Sequence, residues 1–425
     1  MATVTFSSLL RTNVRFRNLW AGQVVSELGN WFNLIAELGL ARKLSGSAWA
    51  ASFMIAAHLL PFCIIGPFAG AIADRFSRKQ MMIGADLARG VIALGFLFVT
   101  SPDRLWIAFV CAAAISSVTA VFEGAKNAAM PNIVAGSELL PANALMHATR
   151  FLQMTIGALL GGWASEKFGY QTAFGLNAVS FVVSAWFIAR IPATALGGSN
   201  GESGVARSVA SLGRDLAEAF RFIRATPVVL GIVALNFGWA LGGGMNQVIA
   251  DRFGGIVFAG PGRSGDAGVA LLYAAAGIGL VLGMALAGRV GAWVGTRDRV
   301  APFMGWAVLA SGLIAAISGL MPNIWLMGLT FIANRLILSA EYAVQETVLM
   351  TSLPDHLRGK VFTIDRSIEL AAMAASALIA GALFETIPAR AVPAIGGILM
   401  AMPGILWLVA VSYGRLRVSR AALGG

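Results

Sequence analysis

Gly66-Pro-Phe-Ala-Gly70-Ala-Ile-Ala-Asp74-Arg75-Phe-Ser-Arg78-Lys79 decides how this chain is read. Apolar residues dominate the run from about 48 to 73, just before the aspartate, and a second apolar run occupies about 80–100. A helix that crosses the hydrocarbon core of a bilayer needs about 20 such residues. The stretch therefore ends one spanning helix and turns into the next, with Arg75, Arg78 and Lys79 holding the turn at the headgroups. Gly70 lets the first of these helices pack closely on a neighbour. Asp74 can face a helix N-terminus, where negative charge is favoured.

The rest of the chain extends this pattern. Of 425 residues, 58% are hydrophobic and only 12% charged, against roughly 25% charged in a soluble domain. So few charges cannot cover the surfaces of two or three soluble domains, which excludes a water-soluble protein. Runs of spanning length occur at about 18–41, 48–73, 80–100, 105–126, 143–165 and 170–189, and again at about 227–250, 268–290, 300–320, 323–347, 363–385 and 391–413. The reading is an all-α membrane protein with twelve transmembrane helices. It divides into an N-terminal six-helix bundle (1–189), a linker (190–226) and a C-terminal six-helix bundle (227–425).

The net charge of +11 raises the question of nucleic acid. The basic residues sit singly or in small groups between apolar runs, and with both termini inside they favour the inner loops roughly three to one. That is the bias of membrane topology. It predicts a multi-pass protein of the cytoplasmic membrane with both termini cytoplasmic and no nucleic-acid partner. The N-terminus reads as a mature cytoplasmic end and not a signal peptide. Cys63 and Cys111 fall inside apolar runs, and the three histidines are far apart, so neither a disulfide scaffold nor a metal site is expected. His58 and His147 are expected to be packed or interfacial. The linker opens on glycine and serine at 196–204 and then places Val209, Leu212, Leu216, Phe220 and Ile223 on one helical face, as an interfacial helix would.

The halves repeat weakly, pairing Ala69-Gly70 with Ala287-Gly288, Pro102 and Trp106 with Pro322 and Trp325, and Pro131 with Pro354. Duplicated parallel halves are one of the known transporter plans. The 66–79 stretch resembles the signature loop between helices 2 and 3 of the major facilitator superfamily. The opening Phe16-Arg-Asn-Leu-Trp20-Ala-Gly-Gln-Val-Val-Ser-Glu-Leu-Gly-Asn30-Trp31-Phe32 is similar to the branch of macrolide-efflux proteins and siderophore exporters. So are Asp86-Leu-Ala-Arg89 and Leu140-Pro-Ala-Asn-Ala-Leu145. The resemblance implies two pseudo-symmetric six-helix bundles, the major facilitator fold, with helices 1, 4, 7 and 10 lining a central cavity. It also implies alternating access, with the 66–79 loop as a clasp for the outward-facing state.

An ionisable group within the bilayer costs at least a few kcal/mol, so it marks a cavity or a partner. The first run carries Gln23, Glu27, Asn30 and Glu37 on one face, and the tenth carries Arg335, Glu341 and Tyr342. The seventh adds Asn236 and Trp239. These residues are the candidate coupling and substrate cavity. Glu27 and Arg335, nearest the midplane, are either coupling or substrate groups or a structural pair. Gly70, Asp74, Arg75, Arg78, Lys79, Asp86, Arg89, Glu123, Arg150, Asp365 and Arg366 lie toward the inner ends and form the candidate gating set. The resemblance implies a monomeric secondary active transporter, a proton-coupled exporter of an amphiphilic small molecule such as a drug-like compound or a siderophore. A lysophospholipid or other lipid-type substrate is the alternative, and outside transport a receptor or scaffold. No P-loop, His/Cys cluster or H-E-x-x-H occurs, so neither ATP, a cofactor nor enzyme chemistry is expected.

Overall fold

The computed structural model describes residues 6–73, 76–197, 209–261, 264–295 and 299–416. Asp74, Arg75 and most of the glycine-serine stretch lie outside the described residues. Among the described residues, twelve long helices carry the apolar runs. They are α1 (Val14–Ser45), α2 (Ala48–Ala73), α3 (Arg78–Leu94), α4 (Leu105–Ile133), α5 (Leu139–Phe168) and α6 (Tyr170–Ala189). Then come α7 (Pro227–Arg252), α8 (Asp266–Gly295), α9 (Val300–Ile317), α10 (Ile324–Ser352), α11 (Asp355–Thr386) and α12 (Val392–Ser412). No strand occurs among the described residues.

In hydrocarbon the backbone must satisfy its own hydrogen bonds, so an apolar run of this length folds as helix whatever its propensity. The second and sixth runs coincide with α2 and α6. α3, α9 and α12 end at Leu94, Ile317 and Ser412, short of their runs, whereas most of the others overshoot, as α11 does by starting at Asp355, because polar helix ends continue past the hydrocarbon into water. Among the described residues, ten helices are long and apolar enough to cross a membrane. The other two, α1 and α5, have 32 and 30 residues, or about 48 and 45 Å at 1.5 Å per residue. Their length suffices, but their polar side chains dilute the hydropathy, and those side chains build the candidate site below.

The chain forms two compact units, residues 1–46 with 57–207, and 47–56 with 208–425. In the first, α1 packs along α5 and α6, and α3 along α4 and α6. In the second, α7 packs along α11 and α12, and α9 along α10 and α12. The second pattern is the first shifted by six helices, which supports the duplicated halves. Glycines set the closest approach in the second unit. A Cβ on Gly279 would collide with the Ile332 carbonyl, and one on Gly283 with the Leu336 carbonyl, so α8 and α10 meet nearly backbone to backbone.

Within the second unit, Glu385 of α11 caps the start of α2, accepting from Ser47 Oγ at 2.8 Å and Ala48 N at 3.0 Å. The helix Val209–Ala225 buries Ala219 and Ile223 against that unit's core, and Lys360 Nζ holds Glu218 at 2.7 Å. Phe220 departs from the expected face. It is turned outward and exposed, because the packed stripe runs through Ala219, Phe222 and Ile223.

Candidate functional site

The polar face of α1 separates into two clusters. Glu27 and Glu37 are ten residues apart, which is about 15 Å along a helix. Gln23 and Glu27 line a cavity of about 260 Å³ enclosed by α1, α4 and α5 within the first unit. Glu123 and Lys126 enter it from α4, and His147 and Arg150 from α5. Trp20, Met130 and Met146 supply its apolar wall. Lys126 Nζ lies 2.5 Å from Glu123 Oε1 and 3.4 Å from Gln23 Oε1. Gln153 Nε2 donates to the Val24 carbonyl at 2.6 Å, tying α5 to α1 beside the cavity. Two carboxylates, two cations and soft apolar groups therefore face one space, which suits a molecule with both polar and apolar parts. At about 260 Å³ it falls just below the 300–1,000 Å³ of pockets that enclose a drug-sized ligand. By volume it does not enclose a whole ligand of that size. A shallower opening of about 430 Å³ at Thr12–Arg15, Ile133 and Glu138 belongs to the capping of α1, where Asn13 accepts from Phe16 N.

Close packing makes this cluster possible. A Cβ on Gly157 of α5 would sit 2.8 Å from Trp31 Cβ, and one on Gly161 3.0 Å from Phe32 Cα. These small residues bring α5 against α1, as their spacing suggests.

Glu37 lies elsewhere. It is fully buried, accepts from Asn33 Nδ2 one turn back, and lies 2.6 Å from His58 Nε2 of α2. His58 is thus not merely packed or interfacial. Sequence offered no way to pair it with Glu37, because 21 residues and a turn separate them. Asn30 is half-buried between the two clusters.

The other residues of the expected gating set in the first unit are bonded to neighbours within it. Asp86 and Arg89 form an ion pair one turn apart on α3, both buried. The Arg89 guanidinium is sandwiched between the rings of Phe122 and Phe181, at 4.4 and 4.5 Å from their centres, and reaches Thr119 Oγ1 at 3.4 Å. Arg78 donates to the Ala128 and Leu196 carbonyls at 3.0 and 3.3 Å. Lys79 donates to those of Ala189 and Ile191 at 2.7 Å, at the C-terminus of α6, where the helix dipole favours a cation. Gly70 faces open space. The close approach lies one residue earlier, where a Cβ on Gly124 of α4 would come within 2.6 Å of Ala69 Cβ.

In the second unit, Arg335 of α10 is half-buried over the Trp239 ring of α7, 5.9 Å from its centre. No carboxylate lies within ion-pair distance of it among the described residues, and Trp239 Nε1, though buried, donates to no acceptor. Asn236 Nδ2 donates to Asp365 Oδ2 at 2.8 Å, joining α7 to α11. Arg366 pairs with Glu369 at 2.7 Å. Glu341 is buried with its Oε1 accepting no hydrogen bond, and Tyr342 is exposed. No cluster of His, Cys, Asp and Glu that could hold a metal occurs among the described residues.

Residues 19–364 match the family model of the Major Facilitator Superfamily. The chain is 24% identical over 94% of both lengths to an MFS-type transporter, YfiS, of Bacillus subtilis. It is also 24% identical to the enterobactin exporter EntS of Citrobacter koseri, over 95% of this chain and 93% of that one. A crystal structure of a POT family transporter in complex with 5-aminolevulinic acid superposes with a TM-score of 0.73, covering 94% of this chain and 96% of that one at 13% identity. That likeness concerns the fold.

Proposed function

We propose a transport cycle from one premise: this chain belongs to the major facilitator superfamily, whose family model it matches over residues 19–364. It is a multi-pass membrane transporter and not an enzyme. In our reading it exports an amphiphilic small molecule by alternating access, and proton entry drives the exit. Residues 1–189 and 227–425 act as the two halves, 190–226 as their linker, and both termini lie in the cytoplasm. The protein works as a monomer in the cytoplasmic membrane.

The observation that carries this reading is the cavity of α1, α4 and α5, where Glu27, Glu123, Lys126 and Arg150 face the same space as Trp20 and Met130. Arg335 over Trp239 adds a cation that has no carboxylate partner among the described residues, which suits an acidic group on the substrate. The full-length likeness to enterobactin exporters supports a siderophore-like cargo. Glu27 serves as a substrate or coupling group in the cavity, and a carboxyl of α1 takes the proton.

Purified protein in liposomes tests this. With the membrane potential clamped, a pH difference should drive accumulation of enterobactin or a macrolide, and substrate addition should move protons. Movement of lysophospholipid between leaflets without proton flux would replace this reading with the lipid-type alternative. Binding without movement of any probe would point to a receptor.

A further inference from the structure

We infer that Glu37 and His58 together form the proton-binding site of the cycle proposed above, and that Glu27 does not. The inference deepens that reading and rests on it for its role in transport. Its basis is geometric. Glu37 is 0% exposed, whereas the His58 side chain is 27% exposed, so the histidine is the accessible member of the pair and the carboxylate is the one held inside the protein. Asn33 Nδ2 and His58 both bond the Glu37 carboxyl, at Oε1 and Oε2 respectively. Ser116 Oγ of α4 donates to the His58 carbonyl at 2.5 Å and fixes that turn of α2.

Charge balance then makes the pair a one-proton site. Holding one proton more than a neutral imidazole beside a carboxylate, the pair is net neutral wherever that proton sits, which costs less in a buried site than a net charge. Release of a proton from the ring nitrogen that does not face Glu37 leaves the Nε2–H bonded to the carboxylate and one net negative charge. Rebinding restores neutrality. The titratable groups facing Glu37 are His58 from α2 and Cys111 from α4. Of the other helices on α1, α6 carries no charged residue, and α5 has Glu166 and Lys167 toward this end, both exposed. No arginine or lysine forms an ion pair with Glu37 among the described residues, so no fixed cation holds it permanently ionised. Glu27, by contrast, shares its cavity with the fixed cations Lys126 and Arg150.

The pair also stands where α2 can yield. Pro61, three residues beyond His58, has no N–H for the Ala57 carbonyl, so the helix lacks one bond beside the histidine. A bend there changes the exposure of His58 without moving Glu37 on its own helix.

The test uses the full chain in liposomes with the potential clamped and enterobactin as probe. One pH unit supports about tenfold accumulation per proton exchanged. Glu37→Gln and His58→Gln should each reduce that to no accumulation, while downhill counterflow of the same probe continues. Accumulation that survives in both the Glu37 and His58 variants overturns the inference and leaves the transport reading intact. A wild type that couples to no pH difference overturns the transport reading instead. The pair is then judged by histidine NMR on the full chain, whose three histidines are assigned by substitution. Glu37→Gln should displace the titration of His58 and leave His147 and His356 in place, and an unmoved His58 overturns the pair as well. Should Glu37→Gln fail to fold, Glu37→Asp and His58→Gln carry both measurements.

Discussion

Arg89→Met should destabilise the first unit far more than it alters transport by the protein that remains folded. Arg89 is 2% exposed and Asp86 is 0% exposed, and each is the other's ionic partner. Removing the guanidinium strands a carboxylate with no route to water, and breaking such a pair costs about 3–5 kcal/mol. The loss includes two desolvated ring contacts, with Phe122 and Phe181, each worth up to about 2 kcal/mol alone and not additive with the ion pair. For a unit of about 200 residues, 1 kcal/mol moves the melting temperature by about 2–4 °C, so the expected fall is about 6–20 °C. Asp86→Leu combined with Arg89→Met removes both charges and should recover most of that loss, because an apolar replacement of a buried pair is often neutral. A thiol-reactive dye reads the transition well, since Cys111 is buried in α4 of the same unit and Cys63→Ser leaves it the sole reporter. A single variant that melts within about 2 °C of the parent but no longer transports would show a switching pair and refute the structural reading. A double variant as unstable as the single one would refute the charge-pair account.

Further tests address the second unit. Arg335→Gln should weaken binding of an acidic probe such as enterobactin by about 10–150-fold, the worth of a charge-assisted hydrogen bond of about 1.5–3 kcal/mol, measured by tryptophan quenching. Equal affinity in that variant would remove Arg335 from substrate recognition. Gly283→Leu should abolish folded protein in detergent, because even its Cβ overlaps the Leu336 carbonyl and Ser339. Gly288→Ala, where a Cβ meets nothing within 4 Å, should elute and melt like the parent.

Much of the fold was legible because a bilayer leaves a chain few options. Apolar runs predicted each long helix, and the duplicated halves agree with a packing pattern that repeats after six helices. The boundaries were less legible. Polar helix ends such as Asp355–Lys360 continue the helix beyond hydrocarbon, where composition no longer marks where it stops. The candidate site was legible only in part. Gln23 and Glu27 are expected in a cavity and Glu123 and Arg150 in a gating set, whereas in the structure all four line one cavity. Asp74 and Arg75 of the signature loop lie outside the described residues.

Sequence by itself determined that this is a polytopic helical protein, because burial in hydrocarbon acts on local composition. It also determined which polar groups require explanation. Only the tertiary structure decided how those groups are partnered. Spacing put Gln23, Glu27, Asn30 and Glu37 on one face of α1, yet about 15 Å of helix divides Glu27 in its cavity from Glu37 against His58. Arg89 is expected as a gating charge, and only the structure places it against the rings of Phe122 and Phe181. Pairing depends on distances between helices that are remote in sequence, and these are set by the small residues that let particular helices touch. One-dimensional spacing carries no record of that contact.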